Sequence, residues 1–307
     1  FTMTTKDDLD LQALNAAKKH MGRVAWPTVA LGICVTLSYL ATPALVAMGL
    51  MPLIVAVPLM ALLTYAAYTV LHEAVHGTIS GSNTSLRWLN EALGYSAAWI
   101  MMIPLTAHRH EHLAHHRHTN QPDSDPDAAM ADITRSPSLA IRAVWKTLGG
   151  QFTYYFNNRW NKGTRAQNFY LCLEVIAALL PRLAFIAAGF WVEGLAMFIL
   201  AWVAGFTLLM YLFAYIVHAP HQSVGRYVDT STILVDGPAG KLITALWGFQ
   251  NYHSIHHLFP RVPFYNYPDV FTEIRPIMEA KGAPIYHLNM RGLPGGPSPQ
   301  GQAKATR

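Results

Sequence analysis

Apolar residues come in long blocks. Val24 to Leu71 runs for 48 residues without Asp, Glu, Lys, Arg or His. A spanning helix needs about 20 apolar residues, so this block predicts two helices, near 24–45 and 50–72. "ATPALVAMGLMP", with Pro43 and Pro52, supplies the turn. A second charge-free run, Gly194 to Val217, predicts a span over 194–217. The stretch 169–191 predicts another, interrupted by Glu174, Pro181 and Arg182. Between the pairs, Ala92 to Ala107 is apolar for 16 residues, short for a crossing, and is expected to be re-entrant or interfacial. Arg135 to Arg165 mixes aromatic and basic residues and predicts an amphipathic element on the membrane surface.

The expected fold is therefore an all-α integral membrane protein. Four transmembrane helices form two hairpins, and a helical cap lies on one side. Residues 1–290 form a single membrane-embedded domain, and the Pro/Gly/Ser-rich 291–307 form a flexible tail.

Composition agrees. The chain is 52% hydrophobic and 13% charged, against roughly 25% charged for soluble domains. Two cysteines, Cys34 and Cys172, lie in apolar runs and read as small buried hydrophobes, with no disulfide framework. The net charge of +5 is scattered, without the basic run a nucleic-acid partner requires. Lys and Arg are missing from both short connections between paired spans. Lys6, Lys18, Lys19 and Arg23 precede the first span, and the middle and C-terminal segments are basic. Both termini and the cap are thus expected in the cytoplasm, as for a protein of a bacterial inner membrane.

The chemistry is in the histidines. Of 15, all but His20 and His287 fall in four clusters. These are His72 and His76 in "HEAVH"; "HRHEHLAHHRH", with His108, His110, His112, His115, His116 and His118; "HAPH", with His218 and His221; and "HSIHH", with His253, His256 and His257. On the expected topology all four meet at one end of the spans. Helical spacing i, i+3, i+4 lets each H-x-x-H-H triplet present its imidazoles on one face. Eight or nine imidazoles are too many for one ion and suit two. Asp125 and Asp127, in "DSDPDA", offer carboxylates to orient them.

H-E-x-x-H also marks zinc proteases, with the Glu as base. An intramembrane protease would take a third ligand from "LVDG", but Asp236 lies outside any apolar span and both triplets would be left over. A metal transporter would need ionisable residues along its spans, and only Glu174 and Arg182 qualify.

H-x-x-x-H followed by two H-x-x-H-H motifs, with "HLAHHRHTNQPDSDPD" and "NYHSIHHLFPRVPFYNYP", resembles the membrane fatty acid desaturase and hydroxylase superfamily over Val70 to Asp269. Within it, the chain is similar to bacterial desaturase-like proteins and carotenoid ring hydroxylases. The resemblance implies two iron ions, O2 as co-substrate and a lipid-soluble substrate, either a fatty acyl chain or a carotenoid ring, that is hydroxylated or desaturated. It also implies an external electron donor such as a ferredoxin, since no nucleotide fingerprint or Cys cluster is present. Carried over by position, the ligands are His72, His76, His112, His115, His116, His253, His256 and His257. His221 is preferred to His218 as a ninth. His108, His118, Glu73, Asp125, Asp127 and Asn251 are further candidates as ligands or as partners of the ligands.

Overall fold

The computed structural model describes residues 6–289. Four helices are long and apolar enough to cross a membrane: Trp26–Ala47, Leu53–Val75, Arg165–Ala187 and Trp191–His218. Each lies within a few residues of its expected position. Pro43 does not break the first span but sits inside it, and the turn falls at residues 48–52. The third span begins earlier than expected because Thr164 and Gln167 form a reciprocal capping box at its start. Cys34 and Cys172 are exposed on the first and third spans rather than buried among protein side chains. The segment 291–307 lies outside the described residues.

The second span is the hub. It packs on the first span, on the fourth, and on the helix Arg87–Met101. Gly205 lets the fourth span approach closely, since a Cβ there would collide with the Ala61 carbonyl oxygen. The third span packs instead on Arg87–Met101 and on the helix Leu105–His118. The first of these ends at Met102, which is left-handed at φ 55°, and the second starts after Pro104. The apolar piece 92–107 is thus an elbow, and it is not one of the four spans. The surface segment is a helix, Pro137–Asn158, whose Ile141, Trp145 and Phe156 are exposed.

The all-α expectation is corrected in one place. Thr232–Asp236 pairs in parallel with Ile285–Asn289, Leu234 opposite His287. The partners lie some fifty residues apart, and neither strand is flanked by a hairpin turn that would announce the pairing. On this sheet His287 meets Asp236 at 3.0 Å, while His20 meets Glu273 at 3.0 Å. Both solitary histidines therefore have carboxylate partners.

Candidate metal centre

Four elements deliver the histidines. The second span ends with His72 and caps at His76. Leu105–His118 brings His108, His112, His115 and His116. The fourth span ends at His218. A six-residue helix, His253–Leu258, brings His253, His256 and His257.

Their ring nitrogens converge in two groups, each with all its ligand atoms within 4.8 Å of one another: His72, His76, His112, His116 and His256, then His115, His218 and His257. In the larger group, the Nε2 atoms of His76 and His112 are 3.1 Å apart, those of His112 and His116 3.1 Å, and those of His116 and His256 2.9 Å. In the smaller, His115 and His218 Nε2 are 3.0 Å apart. Nitrogens bound about 2.1 Å from one ion lie about 3.0–3.4 Å from each other at right-angled or tetrahedral positions. These separations are those of a shared ion. His72 Nε2 and His257 Nε2 are buried and have no hydrogen-bond partner, which leaves both lone pairs available to a metal. The donor set fits two ions held by imidazole.

His253 stands between the groups. Its ring lies 4.7 Å from that of His218 and 4.8 Å from that of His257. The groups touch where His116 and His257 stack, ring centroids 4.3 Å apart.

The other ring nitrogen is anchored for several of these residues. His115 Nδ1 donates to Asp125 Oδ1 at 2.7 Å. Asp125 in turn accepts the backbone N–H groups of Asn120 and Asp127 at 2.8 and 2.9 Å. His253 Nδ1 lies 2.9 Å from Gln250 Oε1, and His256 Nδ1 lies 3.1 Å from the Tyr267 hydroxyl. The Asp125 and Gln250 oxygens can only accept, so they hold the proton of their partners on Nδ1 and leave Nε2 as the ligating nitrogen, and the Tyr267 hydroxyl orients the His256 ring. Gln250 and Tyr267 were not legible from the sequence as partners, although Gln250 precedes His253 by one helical turn.

Electrostatics favour the ligating state. Burial, then the crowding of neighbouring imidazoles, holds His112, His116, His253, His256 and His257 well below the usual histidine range. They are neutral, as metal ligands must be. His115 differs. Burial lowers its affinity for a proton, but the Asp125 carboxylate outweighs this and raises it to about 9, so at neutral pH a metal ion must displace the proton on Nε2 to bind there.

Other candidates sit elsewhere. The structure brings His218, not the preferred His221, into the smaller group. His221 has φ 65° and stacks on Tyr215, centroids 4.7 Å apart. The Glu73 carboxylate makes no ion pair with a histidine among the described residues. It accepts Thr28 Oγ1–H at 2.6 Å and Phe264 N–H at 2.8 Å, joining the first span to the segment that follows the helix His253–Leu258. Asn251 donates to Ile233 O and Thr244 Oγ1, holding the sheet. His118 reaches only Gln121, at 3.4 Å. His108 is buried, 3.4 Å from Glu111, and neither ring nitrogen has a hydrogen bond. Asp127 Oδ2 is 3.8 Å from His115 Nδ1, behind Asp125.

The family model described as "Fatty acid desaturase" matches residues 15–289. Among curated proteins, a fatty acid conjugase of Calendula officinalis is 24% identical over 67% of this chain and 63% of its own length. An sn-1 oleoyl-lipid 12-desaturase of a Picosynechococcus strain is 26% identical over 66% of the chain and 63% of its own length. An acyl-lipid (7-3)-desaturase of Diacronema lutheri is 26% identical over 71% and 55%. The chain thus spans a little under two thirds of the length of these relatives.

Proposed function

The chain belongs to the fatty acid desaturase family, and from that premise we propose that it is a membrane oxidoreductase that uses two iron ions and O2 to introduce a double bond into a fatty acyl chain. The observation that carries the reading is the pair of imidazole groups, meeting at His116 and His257, at one end of four apolar helices. An acyl chain is preferred to a carotenoid ring because the relatives above are named for acyl chemistry.

His72, His76, His112, His116 and His256 would hold one iron. His115, His218 and His257 would hold the other, with His253 beside it. Bound there, iron with O2 supplies an oxidant for an unactivated C–H bond. The chain's own residues orient the reactants and exclude water. Tyr68, Leu209, Met210 and Phe213 form the apolar wall facing His112, His115, His218 and His253. The fourth span is π-helical over Met210–Tyr215, and π turns often mark functional sites. This turn sets the Phe213 ring 5.0 Å from His72 and 5.4 Å from His253.

The protein would lie in a bacterial inner membrane. The turns at the opposite end, residues 48–52 and 188–190, contain no Lys or Arg. By the positive-inside rule the histidine end faces the cytoplasm, where a ferredoxin-like donor would deliver electrons.

Metal analysis and acyl-chain profiling test the reading together. Detergent-purified protein should carry two iron per chain and lose iron in both His115→Ala and His256→Ala. A host expressing it with a ferredoxin should gain a new unsaturated acyl chain, identified by mass spectrometry. One zinc per chain that is indifferent to His256→Ala, with unaltered acyl chains, would overturn it.

A further inference from the structure

One large cavity of the described structure has no histidine in its lining. It encloses about 450 Å³, within the range of pockets that hold small ligands. It lies behind the elbow at Met102–Pro104, between the helix Arg87–Met101, Phe152 and the third span. Its wall is overwhelmingly apolar. From Pro104 to His112, the first residue of this helix in the two imidazole groups, the helix rises about 12 Å, so an occupant here need not touch those groups.

The wall is built rigidly. Trp99 Nε1 donates to Ala177 O at 2.8 Å. The Arg182 guanidinium lies 4.6 Å from the Trp99 ring and donates to Trp99 O at 2.9 Å and Tyr39 OH at 3.1 Å. Arg182 is buried at the C-terminal end of Arg87–Met101, where the helix dipole favours a cation. The ionisable carboxylate of the third span in the wall, Glu174, is engaged by the N–H of Thr106 at 3.3 Å. The cavity is thus preformed, and nothing in its wall calls for a charged ligand.

The mouth identifies the occupant. Leu173 and Leu179 line the cavity, and they are 46% and 47% exposed on a helix long enough to span a membrane. Ile176 and Leu180, their neighbours on that helix, are 57% and 62% exposed. At the depth of a spanning helix these side chains face hydrocarbon, so the material at the opening is lipid chain. We propose that this cavity is a binding site for the hydrocarbon chain of a membrane lipid, entered sideways from the bilayer between Leu173 and Leu179. The proposal rests on the spans crossing a membrane and is independent of the metal.

The test uses the full chain in phosphatidylcholine vesicles doped with a phosphatidylcholine whose acyl chain carries a photoreactive diazirine. After illumination, labelled residues are mapped by mass spectrometry. Label should concentrate on residues 98–104 and 173–179, and an excess of unlabelled lipid should suppress it there. Val175→Trp, which fills the cavity, should abolish it, while Leu183→Trp, exposed on the same span outside the cavity, should leave it intact. If Val175→Trp does not fold, Ala98→Phe fills the opposite wall. Label spread evenly over outward residues such as Leu37 and Ile199, and unchanged by filling, would overturn the proposal. The lipid has two possible origins, distinguished by products of the active enzyme. A changed chain-length preference in Val175→Trp identifies the substrate's own tail, and an unchanged one a resident lipid. Failure of the metal tests above would leave the labelling result untouched.

Discussion

His115 and Asp125 are locked together by a 2.7 Å contact between buried side chains. The carboxylate holds the Nδ1 proton and leaves Nε2 facing His218 at 3.0 Å. Two backbone N–H groups in turn hold the carboxylate. Removing such a carboxylate typically costs 10–100-fold in metal affinity. Asp125→Ala should therefore weaken the smaller site by about that factor and spare the larger one. Iron titration of the variant should show one tight site and one weakened site. Equal weakening of both would contradict the separation into two groups.

His218 and His221 divide cleanly in the structure, and the variants should too. His218→Ala removes a member of the smaller group and should lower bound iron from two per chain toward one. His221→Ala removes a ring that stacks on Tyr215 and should leave the iron count unchanged. Metal analysis of the two purified variants decides it.

This pair also shows how far the sequence could be read. The repeated H-x-x-H-H spacing displays which faces converge, because helical periodicity is a local property. The 48-residue apolar block does the same for the first two spans. "HAPH" has the same i, i+3 step, but Pro220 inside it stops the helix that would keep both rings on one face. The fourth span ends at His218, and the chain then turns through Pro220, so His218 remains on the helix end while His221 swings onto Tyr215. Where the helix stops decides between them, and that is set by tertiary packing. The Thr232–Asp236 strand was hidden for a related reason, since its partner is distant in sequence. Tyr267 is equally remote as a local signal, reaching His256 from the start of another helix.

The N-terminal helix, Lys6–Lys18, docks on Tyr267–Ala280, and Glu273 ties the junction. It meets Lys19 Nζ at 2.6 Å and His20 Nε2 at 3.0 Å. Hydrogen bonds from His20 and then Lys19 hold its carboxyl below the ordinary glutamate value of 4.5. The folded value is the lower one, so the stabilisation is present above about pH 4.5 and is lost as pH falls through the folded value. The protection of residues 6–18 from hydrogen exchange, corrected for the intrinsic pH dependence of exchange, should therefore fall below pH 4.5. Glu273→Gln should show fast exchange at neutral pH and a flatter acid response. Identical profiles for the two proteins would remove Glu273 from the junction.

Glu73 separates the two meanings of H-E-x-x-H. In a protease it would be the base, and its amide variant would keep the fold and lose the chemistry. Here the carboxylate accepts two donors, Thr28 Oγ1 and Phe264 N–H, from opposite sides of the structure. A glutamine keeps one acceptor oxygen but turns an NH2 group toward the other donor. A buried donor left without an acceptor costs about 1–3 kcal/mol. Glu73→Gln should therefore lower the thermal midpoint in detergent by several degrees, while bound iron per folded chain stays unchanged. Thr28→Val removes one donor, so in the double variant the added cost of Glu73→Gln should shrink. An unshifted midpoint in Glu73→Gln would show that the carboxylate does not hold Thr28 to Phe264.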